Sequence, residues 1–399
     1  MSRLVLVTGG AGFIGSHLVD ALLARGDRVR VLDDFSTGRR ENLAHCLADI
    51  DLVEGDVREP GLVARAVAGC DGVLHEAAVA SVTRSLEDPV GTGSVTHGGT
   101  VNVALLARRA GVGAFVLASS CAVYGDTDVL PIAEDAPPRP LSPYAVAKLL
   151  SECACRSAPQ GPADGLSDVH RRSVAGGRRD GERDGMRAVA LRYFNVYGPR
   201  QDPSSEYSGV IARFMDVAAM RKAWFEEGER TDVDEPLYVV FGDGRQSRDF
   251  VFVSDVVAAN LLALDACLSA DAERRTEVDG ATVNVGTGVS VDLLEIVSLA
   301  EALRGGDKPG GEKHDEAAGA WAEGCAAEEK VDGPAAGRAD ADEARGAPID
   351  FRAPRAGDIR ASLADIARAR CLLGYEPATS FADGLAATYR WYADEGSAR

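Results

Sequence analysis

The sequence predicts an α/β protein built on a doubly wound parallel sheet, with a smaller mixed α/β lobe carried mainly by the second half of the chain. Three features predict it. Short apolar runs alternate with helical patterns through the first half, the first run leads into a glycine-rich turn, and the 46% hydrophobic and 26% charged residues balance as in a globular protein.

The runs are LVLVT at 4–8, VRVLD at 29–33, a weaker DLV at 51–53, GVLHEA at 72–77 and AFVLASS at 114–120. Strands separated by helices form βαβ units, which put helices on both faces of a parallel sheet. The second half mixes a helix over Asp255–Leu264, with Ser254 expected as its N-cap, with short runs at YVVF (238–241) and TVNVG (282–286). These belong, on this reading, to a smaller lobe packed against the sheet's C-terminal edge. Residues 1–190 are then mainly the first lobe and 191–399 mainly the second, with the two interleaved.

Residues 157–187 and 305–347 are rich in Gly, Ala, Pro and charge and lack apolar periodicity, so both are expected as disordered surface insertions. The second holds eleven acidic and five basic residues, about a third of the net charge of −19. A charge of that sign excludes a nucleic-acid binder that works by neutralising phosphates. No apolar run approaches the roughly 20 residues of a membrane-spanning helix, and the N-terminus opens directly as a buried-strand pattern without a leader, so a cytoplasmic protein is expected. Eight scattered cysteines without Cys-x-x-Cys, and six isolated histidines, are expected as reduced thiols and no metal site.

After the first run comes Thr8-Gly9-Gly10-Ala11-Gly12-Phe13-Ile14-Gly15 and then a helical pattern. A Gly-x-x-Gly-x-x-Gly turn between strand and helix brings backbone N–H groups and the positive end of the helix dipole to a pyrophosphate. Gly9 and Gly12 serve the turn and the phosphate approach, and Gly15 the helix–strand packing. The second strand ends in Asp33, placed to accept hydrogen bonds from a ribose diol and to repel a 2′-phosphate, which favours NAD over NADP. Asp56, in Gly55-Asp56-Val57, is a candidate for the adenine amino group. The first lobe is thus a Rossmann-type dinucleotide-binding domain.

Tyr144 and Lys148 open a helix at Ser142-Pro143-Tyr144-Ala145-Val146-Ala147-Lys148, four residues apart and therefore on one face. A phenol with an unperturbed pKa of about 10 is a poor base, and a neighbouring ammonium favours its phenolate. Ser120 ends the AFVLASS strand, where its hydroxyl can bond the substrate oxygen that the tyrosine deprotonates.

The blocks TGGAGFIG, VLDDFSTGRRENL, EGDV, HEAAVASVTRSLEDP, SSCAVYGD, SPYAVAKLLSE, LRYFNVYGPRQDP, GDGRQSRDFVFVSDV and PRAGDIRASLADIARARCLLGYEP follow in order. The chain resembles the extended short-chain dehydrogenase/reductases of the NAD-dependent nucleotide-sugar epimerase and dehydratase family, outside the two insertions and a shorter expansion near 221–236. The resemblance implies a catalytic triad of Ser120, Tyr144 and Lys148. It implies an NAD site lined by Gly9, Gly12, Phe13, Ile14, Gly15, Asp33, Asp34, Ser36, Thr37, Gly38, Asp56, Val57, Ala77, Ala78 and Tyr193 together with Tyr144 and Lys148. It also implies a UDP-sugar site of Ser81, Val82, Arg84, Asn195, Val210, Val240, Phe241, Arg248, Arg355, Asp358 and Ser362, together with Ser120 and Tyr144, and a homodimer. Arg248 and Arg355 are planar donors suited to a diphosphate.

Dehydratases and decarboxylases of the family carry an acid shortly after the active-site Ser or Thr, where this chain has Cys121 and Ala122. C4 epimerisation through a transient 4-keto sugar is therefore implied. Ser362 stands where the family borders the C2 substituent; a small residue there points to UDP-N-acetylglucosamine, with UDP-glucose and UDP-glucuronate as alternatives. A catalytically silent NAD-binding sensor or scaffold is the reading from another class. Two departures stand out: Thr96 replaces the asparagine of an Asn-Val-x-Gly-Thr pattern, and Glu76 replaces a neutral residue on the nicotinamide side.

Overall fold

The computed structural model describes residues 2–157, 185–203, 209–226, 235–306, 347–354 and 359–396. The expected insertions at 157–187 and 305–347 lie almost wholly outside them.

The first half alternates β1 (Leu4–Thr8), α1 (Phe13–Ala24), β2 (Arg28–Asp33), β3 (Ile50–Glu54), α2 (Pro60–Val67) and β4 (Gly72–His75). It continues through α3 (Val82–Glu87), α4 (Pro89–Gly93), α5 (Gly99–Ala110), β5 (Ala114–Ser120), α6 (Pro143–Ser157) and β6 (Arg187–Tyr193). Then come β7 (Asn195–Tyr197), α7 (Val210–Glu226), β8 (Tyr238–Phe241), β9 (Ser247–Phe252), α8 (Val253–Cys267), α9 (Ala272–Val278) and β10 (Thr282–Val285). β11 (Ser290–Asp292), α10 (Leu293–Gly305), β12 (Ile349–Arg352), α11 (Ala367–Leu373) and α12 (Phe381–Gly396) complete the described chain.

The large sheet has seven parallel strands in the order β10-β6-β5-β4-β1-β2-β3, so the order reverses beside β1, where ligands bind in such sheets. Its central strands β1, β4 and β5 are almost wholly apolar because both faces are buried, while β2 and β3 towards the edge carry charged residues. Along β1, Val5 and Val7 join a core with Leu18, Val19 and Leu22 of α1, while Leu4 and Leu6 join another with Val63 of α2 and Val103 of α5. The smaller lobe holds the β11-β9-β7 sheet, the β12-β8 pair and helices α7, α10 and α12, around Phe214, Tyr238, Ile296 and Leu385.

Two expectations are corrected. TVNV at 282–285 pairs with β6 and forms the edge of the large sheet, and α8, with Val256, Ala263 and Leu264 in the core of α1 and β1, covers the large sheet as well. Ser254 is not an N-cap: α8 starts at Val253 as β9 ends, and the Ser254 hydroxyl pairs with Thr379 Oγ1 at 3.0 Å. The strand's exit fixes the helix start, and Asp255 instead accepts from the Ala378 and Thr379 N–H groups at 3.0 and 3.2 Å.

One buried ion pair ties α6 to the sheet. Arg192, on β6 and 3% exposed, donates from Nε and Nη2 to both oxygens of Glu152 at 2.9 and 2.8 Å, and Glu152 also accepts from Ser119 Oγ at 2.6 Å. Arg192 Nη1 adds bonds to Tyr124 Oη and the Glu134 carbonyl. Removing one partner of such a pair strands a buried charge and costs about 3–5 kcal/mol, whereas removing both also removes the desolvation cost. Urea unfolding is expected to show Arg192→Met destabilised by about that amount, with Arg192→Met/Glu152→Leu recovering part of it. An Arg192→Met midpoint equal to that of the parent would contradict this account.

Candidate functional site

At the switch point, Gly9 leaves β1 with φ +69°, and a Cβ on it would lie 2.9 Å from the Ala77 nitrogen. A side chain on Gly15 would collide with the Gly9 carbonyl, so strand, turn and helix close only around these glycines. The N-cap of α1 is Gly12, with no side-chain cap and no acidic residue in the first turn. The helix therefore keeps its N–H groups and dipole end for an anion. Phe13 and Ile14 begin this turn.

Asp33, at the end of β2, accepts from the Ala11 N–H at 2.9 Å and the Phe35 N–H at 2.8 Å. Burial raises its pKa and these bonds oppose the rise. The following loop folds back over the turn: Gly38 lies against Ala11 and Asp33, while Asp34, which accepts from Ser36, and Thr37 are exposed. Across β3, the Asp56 carboxylate is taken up by Arg58 Nε at 2.8 Å, and Val57 is buried with its carbonyl bonded to Asn102.

The segment after β4 is held over the glycine turn by a chain of hydroxyls and a histidine. Thr100 Oγ1 donates to the Thr96 carbonyl and so accepts from His75 Nε2 at 3.0 Å. His75 Nδ1 then accepts from Thr8 Oγ1 at 2.8 Å, and Thr8 accepts from the Ala77 N–H. Burial pushes His75 down to about 3, which keeps it neutral. Thr96, in the π-helical turn Ser94–Gly98, accepts from the Val79 N–H, and its carbonyl also accepts from Ser151 on α6. Threonine thus anchors the segment from the position where asparagine was expected, and Ala77 and Ala78 are fixed beside Gly9.

The ends of β5 and α6 bring the expected triad together. Ser120 lies near enough to the Tyr144 phenol to pull its pKa down. Lys148 lies one turn further on, 4% exposed, with Nζ 2.7 Å from the Ala118 carbonyl and 5.9 Å from the centre of the Tyr144 ring. Burial pushes Tyr144 up to about 12, partly offset by Ser120, and pushes Lys148 down to about 8 against the pull of Glu76 and Glu152. Burial outweighs the phenolate stabilisation expected from the lysine, so the phenol is protonated at neutral pH. Tyr193, at the end of β6, donates to Glu76 Oε1 at 2.9 Å and accepts from Asn260 at 2.7 Å. Asn260 and Arg192 gave no sequence signal, because their partners lie on elements distant in the chain.

The residues expected to hold substrate are partly gathered. Asn195 reaches the Asp249 carbonyl at 3.0 Å and Ser362 Oγ at 3.4 Å, and Ser362 is hydrogen-bonded to β9 on either side of Arg248. Asp249 and Arg248 in turn act on the Cys121 thiol, beside Ser120. Ser81 is buried as the N-cap of α3, while Val82 and Arg84 are exposed on that helix. Val240 is buried in the small-lobe core. Phe241 faces a cavity of about 310 Å³ beside Arg213 and Arg352, between α7 and the β8–β12 pair. Val210 starts α7. Arg355 and Asp358 lie outside the described residues. Among the described residues, Asp20, His45 and Cys46 cluster, but Arg200 already pairs with Asp20 at 2.7 Å.

Residues 5–286 match the profile of the NAD dependent epimerase/dehydratase family. A UDP-glucose 4-epimerase of Mycolicibacterium smegmatis is 34% identical over 396 residues, 97% of either chain. The chain belongs to the NAD-dependent epimerase/dehydratase family. It is thereby an enzyme whose cofactor is NAD. The uncapped helix start, the glycine cradle and the Asp33 carboxylate at the end of β2 fit that group. Among solved structures of the family, the UDP-glucose 4-epimerase of Thermotoga maritima with UDP-glucose superposes with TM-score 0.71 at 28% identity, covering 98% of this chain and 99% of that one. The UDP-N-acetylglucosamine 4-epimerase of Methanobrevibacter ruminantium, in complex with UDP-N-acetylmuramic acid, gives 0.71 at 26% identity, with 99% of each covered.

Proposed function

We propose that this family member interconverts the C4 epimers of a UDP-hexose, UDP-N-acetylglucosamine and UDP-N-acetylgalactosamine being the pair its site suits. The observation that carries the reading is the meeting of Ser120, Tyr144 and Lys148 with no acid following the serine. Burial pushes the Cys121 thiol in that place up to about 12, so at neutral pH it offers no base for the second proton of a dehydration.

Ser120 and Tyr144 would bracket the C4 oxygen, with Tyr144, as the phenolate that the Lys148 ammonium and a cationic nicotinamide ring would favour, taking its proton and later returning it. Bound NAD supplies the hydride acceptor and donor at the same carbon. The Tyr144 phenolate is disfavoured by burial, so Lys148 contributes by holding positive charge beside the ring. Gly9, Gly12 and Gly15 would admit the pyrophosphate of the cofactor and Asp33 its ribose, with NADP repelled. The nucleotide end of the substrate suits the small lobe, where Arg248 and the cavity beside Phe241, Arg213 and Arg352 offer donors and a flat apolar wall. Small Ser362, beside Asn195, supports room for an N-acetyl group.

A homodimer is supported by the outer faces of α5 and α6, where Val101 with Leu105 and Val146 with Leu150 expose 36–46% of their surface in two adjacent apolar stripes. Light scattering is expected to give twice the chain mass, and Leu105→Glu/Leu150→Glu the single mass. A monomeric parent would contradict the pairing.

Incubating the purified protein with UDP-N-acetylglucosamine, UDP-glucose and UDP-glucuronate, and resolving the C4 epimers, tests the substrate. Overpacking costs about 1–3 kcal/mol, roughly 5- to 150-fold in rate. Ser362→Tyr is expected to lower UDP-N-acetylglucosamine turnover by that factor while UDP-glucose turnover survives. A parallel fall in both would remove Ser362 from the C2 position.

A further inference from the structure

The carboxylate of Glu76 turns inward from the end of β4 to the space between α6 and β6. Its donor is the Tyr193 hydroxyl at 2.9 Å, and Asn260 Nδ2 holds that hydroxyl's oxygen at 2.7 Å, which directs the phenol proton to Glu76. Lys148 Nζ is held at 2.7 Å on the Ala118 carbonyl of β5, the strand between β4 and β6, and 5.9 Å from the Tyr144 ring centre, and there the Glu76 charge raises the pKa of both groups. The other groups facing Lys148 are accounted for: Glu152, on the same helix, is paired with Arg192 and Ser119, and His75, on β4, is neutral. Glu76 is therefore the carboxylate near Lys148 that no cation in direct contact neutralises.

We propose that Glu76 is a positioning residue of the catalytic centre: as the counter-charge of Lys148, held by Tyr193, it sets the pH window in which Tyr144 and Lys148 act together. The role in turnover rests on the epimerase reading; the charge coupling does not. A carboxylate here favours the ammonium of Lys148 and disfavours the phenolate of Tyr144, so it keeps protons on both. Its own proton is held by burial, which pushes Glu76 up to about 7 against the Tyr193 bond and the lysine. Burial of both groups therefore brings the loss of the Glu76 charge on the acid side and the loss of the Lys148 proton on the alkaline side closer to neutrality.

Glu76→Gln removes the charge at nearly constant shape. The fall of activity on the alkaline side, where Glu76 is ionised in the parent, is expected to move to lower pH by about one unit, while the rise on the acid side, where Glu76 is protonated and as neutral as glutamine, stays with the parent's. Peak turnover is expected within a few fold of the parent. A purely structural glutamate would lower the peak or the thermal midpoint and leave the alkaline limb in place, and an alkaline limb that superposes on the parent's would overturn the proposal. Infrared difference titration of the holoenzyme without substrate reads Glu76 directly. A protonated-carboxyl band is expected to disappear with a midpoint near 7, to be absent from Glu76→Gln, and to shift its midpoint upward in Lys148→Met, which lacks the stabilising ammonium. A midpoint unmoved by Lys148→Met would overturn the coupling. The coupled shift together with no turnover of any UDP-hexose would support the charge assignment and sink the epimerase reading alone.

Discussion

The site depends on how α6 is clamped to the end of β5. Tyr144, Lys148 and Glu152 fall at successive i, i+4 positions on one helix face, and three consecutive strand residues receive them. Ser120 meets Tyr144, the Ala118 carbonyl takes Lys148 Nζ, and Ser119 bonds Glu152. A reactive phenol on a single helical turn would have no fixed direction. Two turns of buried polar contacts give it one. The cost is the burial of an ammonium, a carboxylate and a guanidinium, offset by a bidentate pair whose remaining donors reach Tyr124 and the Glu134 carbonyl. The same burial that fixes these groups also pushes the Tyr144 and Lys148 pKa values apart, the phenol up and the ammonium down, which is why neighbouring charges matter so much there.

On the other side of the switch point the design is reversed. The catalytic side pairs the buried Ser119, Lys148, Glu152 and Arg192 side chains, whereas the start of α1 leaves its N–H groups without a side-chain cap. Ala77 lies against Gly9, tied through Thr8, His75 and Thr100 to α5, so one network sets how close the catalytic side and the glycine turn approach. A neutral histidine serves here because one ring nitrogen must donate while the other accepts.

Much of this was legible in the sequence because it is local. LVLVT and AFVLASS matched β1 and β5 residue for residue, the glycine spacing located the turn, and the Tyr144–Lys148 spacing placed both on one face. What escaped was set by contacts distant in the chain. The TVNV run could not disclose which sheet it would join, since an apolar strand fits either. Ser254 has the composition of a cap, yet the exit of β9 decides where α8 begins. The apolar alternation around Val240 marks a strand without showing which face is core, and the environment of Glu76 is assembled by Tyr193 and Lys148 from two other elements.

On the epimerase proposal, Ser120, Tyr144 and Lys148 form one centre at which a hydrogen leaves C4 of the sugar and returns to it without meeting solvent. Turnover of a UDP-hexose deuterated at C4, followed by mass and NMR analysis of the epimer, tests this most directly. Full retention of deuterium at C4 is the predicted result. Loss of the label to water, or its appearance at another carbon, would contradict the centre as described.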